Sequence, residues 1–121
     1  MSIETVANSA ANRQLDDVFR ALSDPTRRAL IARLAKRPCM VTELAEPFAM
    51  SLPAVSKHLK VLERAGLVSR TVDGRIHRCS FSPEPLHRAE QWISRYRAFW
   101  EDTLDALSGY IERGKKQSIG N

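Results

Sequence analysis

Cationic side chains recur at helical spacing in the stretch Ser51–Val68, which reads SLPAVSKHLKVLERAGLV. Projection at 100° per residue places Lys57, Lys60 and Arg64 on the face opposite the apolar positions. Such a row of cations can donate hydrogen bonds to phosphate oxygens, and a lysine near the start of a helix can also reach base edges in a major groove. The pattern therefore indicates either a nucleic-acid contact or an ordinary solvated face.

The distribution of charge along the chain favours the nucleic-acid contact. The 121 residues carry 19 Lys and Arg against 14 Asp and Glu, a net charge of +5. Residues 51–82 hold six cations and two anions, and six minus two gives +4 of that excess. Residues 1–50 contribute +1, and residues 83–121 are balanced. Charge concentrated in one block predicts contact with a polyanion.

Apolar periodicity and capping residues predict four helices up to the end of this stretch. The first is expected over about Asn12–Leu22, and the second begins near Asp24 and is stopped by Pro38. Thr42 is expected to cap a short third helix, and the fourth runs from its cap Ser51 to Gly66. The inward-facing positions are expected to be Leu30, Ile31, Leu34, Leu44, Ala45, Phe48, Val55, Leu59 and Leu62.

After Gly66 the periodicity changes. Residues 67–82 alternate between apolar and polar side chains around Asp73-Gly74, a favoured two-residue turn, so they predict a β-hairpin with Arg70, Arg75 and Arg78. The chain then returns to one long helix, from Glu84 to about Lys115. A helix pair followed by a basic hairpin is typical of a winged helix-turn-helix, a mainly α fold with a two-stranded β-wing in the order α-α-α-α-β-β-α.

The predicted domain organisation is a single winged-helix domain over residues 12–115. Residues 12–82 form its DNA-binding core and residues 83–115 a dimerisation helix, while residues 1–11 and 116–121 are expected to be flexible tails.

Two segments resemble the ArsR/SmtB family of bacterial winged-helix repressors. They are FRALSDPTRRALIARL and TELAEPFAMSLPAVSKHLKVLERAGLVSRTVDGRIHRCSF, within Phe19–Phe81, roughly half of the chain. The resemblance implies a homodimer that binds double-stranded operator DNA as an inverted repeat and releases it when an effector binds. By position in the family's motifs, the recognition residues are Ser51, Pro53, Ala54, Ser56, Lys57 and His58, with Lys60 on a phosphate and Arg75 at the wing tip. The basic pattern adds Arg64, Arg70 and Arg78 to the expected DNA contacts.

Most of the large aromatic residues lie in the C-terminal helix, which is too long for a domain of this size to cover. Its apolar strip therefore needs a partner, and a second copy of the chain is the simplest one. Dimerisation through the terminal helices is expected to use Leu15, Phe19, Trp92, Tyr96, Phe99, Trp100, Leu104, Leu107 and Ile111.

The effector cannot be named from the residues. The third helix, TELAEPF, lacks the cysteines of one metal site found in the family, and His87 with Glu90 forms only part of another, so no metal and no cofactor is expected. Cys39 is expected in a loop and Cys79 on a buried strand face, where a thiol acts as a small hydrophobe. A thiol- or metal-responsive repressor of the same fold stays open as an alternative.

Other classes of protein fit less well. The chain shows no Gly-rich phosphate loop, nucleophile motif or paired carboxylates, so it is not expected to be an enzyme. No apolar run approaches 18 residues and no signal-peptide pattern opens the chain, which predicts a cytoplasmic protein without a membrane partner. A winged helix that docks an acidic protein is the remaining alternative, and DNA binding would be distinguished from it by a steep salt dependence.

Overall fold

The computed structural model describes residues 9–119, and it describes side chains for residues 9–114. The expected flexible tails lie partly outside this range, at residues 1–8 and 120–121, whereas residues 10–11 and 116–119 are helical. The chain divides into two compact units, one ending at Ala89 and the other beginning at Glu90. The single domain over residues 12–115 stays a prediction.

The order of elements follows the winged helix-turn-helix pattern that the sequence predicts, with a short strand added and the last helix divided. The helices are α1 (Ala10–Leu22), α2 (Pro25–Lys36), α3 (Val41–Ala45), α4 (Leu52–Arg64), α5 (Glu84–Ser94) and α6 (Arg97–Ile119). The strands are β1 (Cys39–Met40), β2 (Val68–Asp73) and β3 (Ile76–Phe81). No helix within residues 9–119 is both long enough and apolar enough to cross a membrane.

Side-chain caps begin three of these helices. Ser9, Asp24 and Ser51 each accept a hydrogen bond from the backbone N–H three residues later, at 3.1–3.3 Å. Pro25 and Pro53 occupy the first turns of α2 and α4, where a missing N–H costs nothing. These caps confirm the starts predicted for α2 and α4, while α1 begins two residues before the predicted Asn12.

The third helix begins differently from its prediction. Its first residue is Val41, one position before the expected cap Thr42. The backbone N–H of Met40 donates to Glu43 Oε1 at 3.0 Å, so a carboxylate at the third helical position closes this end of the helix.

Gly66 ends α4, as its sequence position predicts. Its φ of 77° lies in the left-handed region, which glycine adopts without steric cost. The Gly66 N–H donates to the Glu63 carbonyl at 2.9 Å and the Leu67 N–H to the Leu62 carbonyl at 3.0 Å. This pair of bonds is a Schellman motif, and it turns the chain directly from α4 into β2.

The sheet has three antiparallel strands in the order β1-β3-β2. The sequence predicts only the two strands of the wing, β2 and β3, so the short strand β1 is an addition to the prediction. Cys39, expected in a loop, lies on β1 opposite Cys79 of β3, and both cysteines are buried and free. Two residues are too few to produce an alternating pattern, so this strand depends on pairing with β3.

The wing turn lies one residue later than predicted. Asp73 pairs with Ile76, so the two loop residues are Gly74 and Arg75 rather than Asp73 and Gly74. Gly74, the first loop residue, has a φ of 60°, whereas no described residue other than glycine has a positive φ, so the φ of Arg75 is negative. A positive φ at the first loop residue alone is typical of a type II′ turn. Arg75 is therefore part of the turn itself.

The core of the first unit lies among α1–α4, the sheet and the start of α5. All but one of the predicted inward positions are buried, the exception being the half-buried Phe48, which packs against this core. The fully buried large side chains are Leu30, Leu44, Leu59, Leu62, Leu67, Val18, Val55, Cys39 and Cys79.

The C-terminal helix predicted over Glu84–Lys115 is two helices, α5 and α6. At the break, the N–H of Arg95 donates to the Trp92 carbonyl at 3.3 Å and that of Tyr96 to the Ile93 carbonyl at 3.0 Å. These three-residue steps are tighter than the four-residue steps of an α-helix. Apolar residues spaced three and four apart continue across such a turn, so periodicity did not reveal the break.

Candidate nucleic-acid interface

Helix α4 presents the predicted cationic face to solvent. Its cap residue and the side chains on this face are exposed, while Ala54 and Ser56 are half-buried beside them. The exposed residues are Ser51, Pro53, Lys57, Lys60 and Arg64. Small residues near the helix start let the backbone approach a surface closely, and the lysines extend beyond it.

His58 packs between α4 and the start of α2, and its expected DNA contact stays a prediction. Its side chain is 20% exposed, and its Nδ1 is 3.8 Å from Asp24 Oδ2 and 3.3 Å from Arg27 Nη1. The ring therefore faces the start of α2 rather than the exposed side of α4. Position in a family motif does not show which neighbour a flanking side chain meets.

Arg27 connects this contact to α1. Its guanidinium donates to the carbonyls of Ala21 and Arg20, both at 2.8 Å, at the C-terminal end of α1. The Arg20 carbonyl also accepts from the N–H and the hydroxyl of Ser23, at 3.2 and 2.7 Å, so the guanidinium adds a charged donor to the carbonyls at this helix end. Asp24, Arg27 and His58 thus join α1, α2 and α4, which gives the SDPTRR segment a structural role that the sequence left unassigned.

Asp24 is held in its charged form. The backbone N–H of Arg27 donates to its carboxylate and lowers the pKa of Asp24 from its ordinary value of 3.8, opposed in part by desolvation. The charges of His58 and Arg27 lower the pKa of Asp24 further. The carboxylate is therefore both the cap of α2 and an electrostatic partner of α4.

Arg70 is also engaged within the protein. Its Nη2 and Nε lie 2.6 and 2.8 Å from Glu63 Oε1, and its Nη1 lies 3.4 Å from His77 Nδ1. Its side chain is only 18% exposed. Arg70 therefore forms an ion pair that joins β2 to α4, and its expected DNA contact stays a prediction.

The other two wing arginines are exposed. Arg75 lies in the turn, and Arg78 lies on β3 opposite Thr71. Arg70 pairs with the neighbouring residue Cys79, so Arg78 and Arg70 point to opposite faces of the sheet. Arg75 is therefore the wing cation that the structure places at the tip.

An open crevice of about 340 Å³ separates the start of α4 from the wing. It has basic groups on the wing side and apolar side chains between them. The lining residues are Met40, Val41, Thr42, Leu52, Ser56, Arg70, Arg75, Ile76 and His77. Leu52 and Ile76 are 47% and 49% exposed there.

The second unit exposes the predicted apolar strip. Its seven residues are each at least 38% exposed, and the rings of Trp92 and Tyr96 contact each other at a tilt of 59°, with ring centroids 5.3 Å apart. The exposed members of the expected interface in this unit are Trp92, Tyr96, Phe99, Trp100, Leu104, Leu107 and Ile111. In the first unit, Phe19 is 38% exposed and Leu15 packs partly against the core.

Ligand-type side chains are dispersed in the described part of the chain. No three His, Cys, Asp or Glu residues within it come together as a metal site would require. Burial raises the pKa of the Cys79 thiol, with Arg70 opposing the shift, so this thiol stays protonated and weakly nucleophilic.

Comparison with known proteins identifies the class. A family model described as a helix-turn-helix domain matches residues 22–71. The HTH-type transcriptional regulator Rv2034 of Mycobacterium tuberculosis is 40% identical over 100 residues, covering 83% of this chain and 88% of that protein. The transcriptional repressor SdpR of Bacillus subtilis is 30% identical over 82 residues, covering 68% and 91%.

A solved structure supports the same class of protein. The crystal structure of the ArsR family transcriptional regulator RHA00566 is 42% identical, with a TM-score of 0.70 over 74% of this chain and 92% of that one. The winged fold and these similarities define a DNA-binding transcriptional regulator. The chain belongs to the ArsR/SmtB family, which confirms the resemblance in its motifs.

Proposed function

We propose that this regulator represses transcription by binding an inverted-repeat operator as a homodimer, with α4 in the major groove and the wing on the flanking backbone. The observation that carries the proposal is the exposed cationic face of α4, next to a wing whose turn contains Arg75. A slim helix with small residues at its start and cations along one side fits the major groove and its phosphate borders.

The cations of this surface take different roles in the proposal. Lys57 lies nearest the start of α4 and donates to base edges, while Lys60, Arg64 and Arg75 donate to phosphates. Ser51, Pro53, Ala54 and Ser56 permit the close approach, and Arg78 reaches the backbone from the outer face of the wing. Arg70 and His58 hold the helix and the wing in place through Glu63 and Asp24.

The proposed homodimer rests on the exposed apolar strip of the second unit. Aromatic and leucine side chains that remain more than a third exposed favour association, because covering them removes apolar surface from water. Two-fold symmetry would place the two α4 helices about one DNA turn apart, near 34 Å, which suits an inverted repeat.

The proposal includes no resident metal, no cofactor and no enzymatic activity, and it places the regulator in the cytoplasm with its operator. A thiol-responsive mechanism is less favoured, because both cysteines are buried and burial raises the pKa of Cys79. The effector that releases the operator is a ligand of unassigned chemistry.

The first prediction concerns Lys57. Lys57→Ala should weaken binding to the operator by about 1–3 kcal/mol and relax its specificity, because a base contact is lost. The measurement is an electrophoretic shift assay on DNA upstream of the protein's own gene, with a scrambled duplex of equal length as competitor, across a range of salt concentrations.

Matched variants give this assay its controls. Lys60→Ala and Arg75→Ala should weaken operator and scrambled DNA alike and reduce the salt slope by about 1, as loss of a phosphate contact requires. Lys36→Ala, an exposed cation of α2, should bind as the wild type does. Wild-type operator affinity in Lys57→Ala would contradict the assignment of α4, and binding of acidic proteins in preference to any duplex would favour an assembly module.

A further inference from the structure

Leu52 is a large apolar residue that the core does not use. It is the first residue of α4, between the cap Ser51 and Pro53, and it is 47% exposed. The inward face of the same helix consists of Val55 and the two leucines that follow it, all fully buried. The side chain of Leu52 therefore stays on the surface at the very end of the helix proposed to enter the major groove.

On the side of the wing, Leu52 is surrounded by small, apolar and basic side chains, and on its other side a second crevice includes Glu43 and Glu46. It lines the crevice between α4 and the wing, together with Ser56 and Ile76. Arg70, which is paired with Glu63, and the exposed Arg75 border the same crevice, and the charge of Arg75 attracts a polyanion to it. An alkyl side chain cannot donate a hydrogen bond to a phosphate. The favourable contact for Leu52 on this surface is therefore one with another apolar group.

The major groove of B-DNA offers one such apolar group, the 5-methyl group of thymine. The other groups on major-groove base edges are hydrogen-bond donors and acceptors, and covering one with an alkyl side chain leaves it unsatisfied. Leu52 should therefore favour thymine and disfavour cytosine, whose amino group lies close to the position of that methyl group.

We propose that Leu52 contacts the 5-methyl group of one thymine in each operator half-site and is a specificity-determining residue. This inference rests on the proposed DNA-binding function, because it requires α4 to lie in the major groove. It adds to the hydrogen bonds proposed for Lys57 a contact that distinguishes thymine by its methyl group.

Removal of single methyl groups from the operator tests this contact. The operator is first selected from a random-sequence duplex pool with the full-length protein, and each of its thymines is then replaced by deoxyuridine, symmetrically in both half-sites. Deoxyuridine keeps every hydrogen-bonding group of thymine and lacks the methyl group. Replacement of the thymine that Leu52 contacts should lower the affinity of the protein for the operator about fourfold per half-site, the factor that burial of one methyl group contributes.

Two variants separate this contact from a general effect on the protein. Leu52→Ala should bind thymine and deoxyuridine duplexes equally at that position, because its side chain no longer reaches the methyl group. Val72→Ala removes an apolar side chain of similar exposure, 57%, from the wing and should keep the wild-type discrimination. Circular dichroism of both variants checks that the fold is retained.

The outcomes distinguish the inference from the proposed function. Specific operator binding with no loss at any deoxyuridine position overturns the inference and leaves the function standing. A Leu52→Ala protein that still discriminates thymine from deoxyuridine also overturns it, because another residue then contacts the methyl group. Failure of the selection to enrich any sequence would instead overturn the proposed function.

Discussion

The cations of the basic block divide into two groups according to what their side chains touch. Lys57 and Lys60 extend into solvent, whereas Arg70 lies within 2.6 Å of Glu63. A partly buried arginine paired in this way fixes the geometry of the exposed ones, because it ties the wing to α4. His58 lies in similar contact with Asp24, so some polar groups of this surface contact other parts of the protein while others extend into solvent.

The second prediction concerns Asp24 and pH. Hydrogen bonding by the Arg27 N–H lowers the pKa of Asp24, so its charged form stabilises the folded state above the ordinary value of 3.8, and this stabilisation is lost as pH falls through the lower folded pKa. Asp24→Asn keeps a capping side chain but lacks the charge. The loss of unfolding free energy in this variant should therefore be larger at about pH 6 than at about pH 2.5.

Chemical denaturation at the two pH values measures this difference. His58→Gln is the matched control, because it removes one charged neighbour of Asp24 and leaves the stronger Arg27 hydrogen bond intact. The change in destabilisation between the two pH values should be smaller for His58→Gln than for Asp24→Asn. A destabilisation by Asp24→Asn that grows on acidification would show that the carboxylate does not stabilise the fold in its charged form.

At the scale of elements, the connection between α4 and β2 decides how the recognition helix and the wing meet. This connection is three residues long, 65–67, with Gly66 at its centre in a conformation of positive φ. A Cβ atom at this position would lie 3.3 Å from Pro85 Cγ and 3.4 Å from Gln14 Nε2. The tight turn therefore depends on glycine both for its backbone conformation and for the space around it.

The third prediction is that Gly66→Ala destabilises the protein by about 1–2 kcal/mol, the cost of a left-handed conformation for an L-residue. Thermal or chemical unfolding measures the change. Gly109→Ala, in the middle of α6 with ordinary helical φ, should instead be neutral or stabilising by up to about 1 kcal/mol. Equal stability changes in the two variants would contradict the proposed role of Gly66.

At the scale of the whole molecule, the long apolar strip of α5 and α6 is the feature that a single copy leaves exposed. Its aromatic residues occur in neighbouring pairs, with Phe99 and Trp100 in edge contact at 6.4 Å between ring centroids. Large rigid aromatic side chains contribute much of the binding energy at interfaces. A homodimer would also bring two copies of α4 to one operator, which increases affinity through bivalency.

The fourth prediction is that Trp100→Glu and Leu104→Glu give monomers of 13.7 kDa, because a charge on the strip cannot be covered without a large desolvation cost. Sedimentation velocity measures the mass. Ala98→Glu lies on the opposite side of α6 by helical projection and should remain dimeric. Dimers of unchanged stability in both strip variants would place the interface elsewhere.

Much of the fold follows from local patterns. The caps Asp24 and Ser51, the inward residues of α4 and the end of that helix at Gly66 are predictable, because each depends on neighbours within a few residues. The strand β1 and the break at Arg95–Tyr96 are not, because a two-residue strand and a single tight turn leave the hydrophobic periodicity unchanged.

The candidate site divides in the same way. The position of the recognition helix, the basic wing after it and the family to which the chain belongs were determined by the sequence alone, since periodicity, capping and motif spacing are local. Which polar side chains are exposed and which contact other parts of the protein was decided by the tertiary structure. Arg70 and His58 lie in the same basic stretch as Lys57, but Glu63 lies 2.6 Å from Arg70 and Asp24 lies 3.8 Å from His58. Such contacts depend on distance in space rather than on position in the chain.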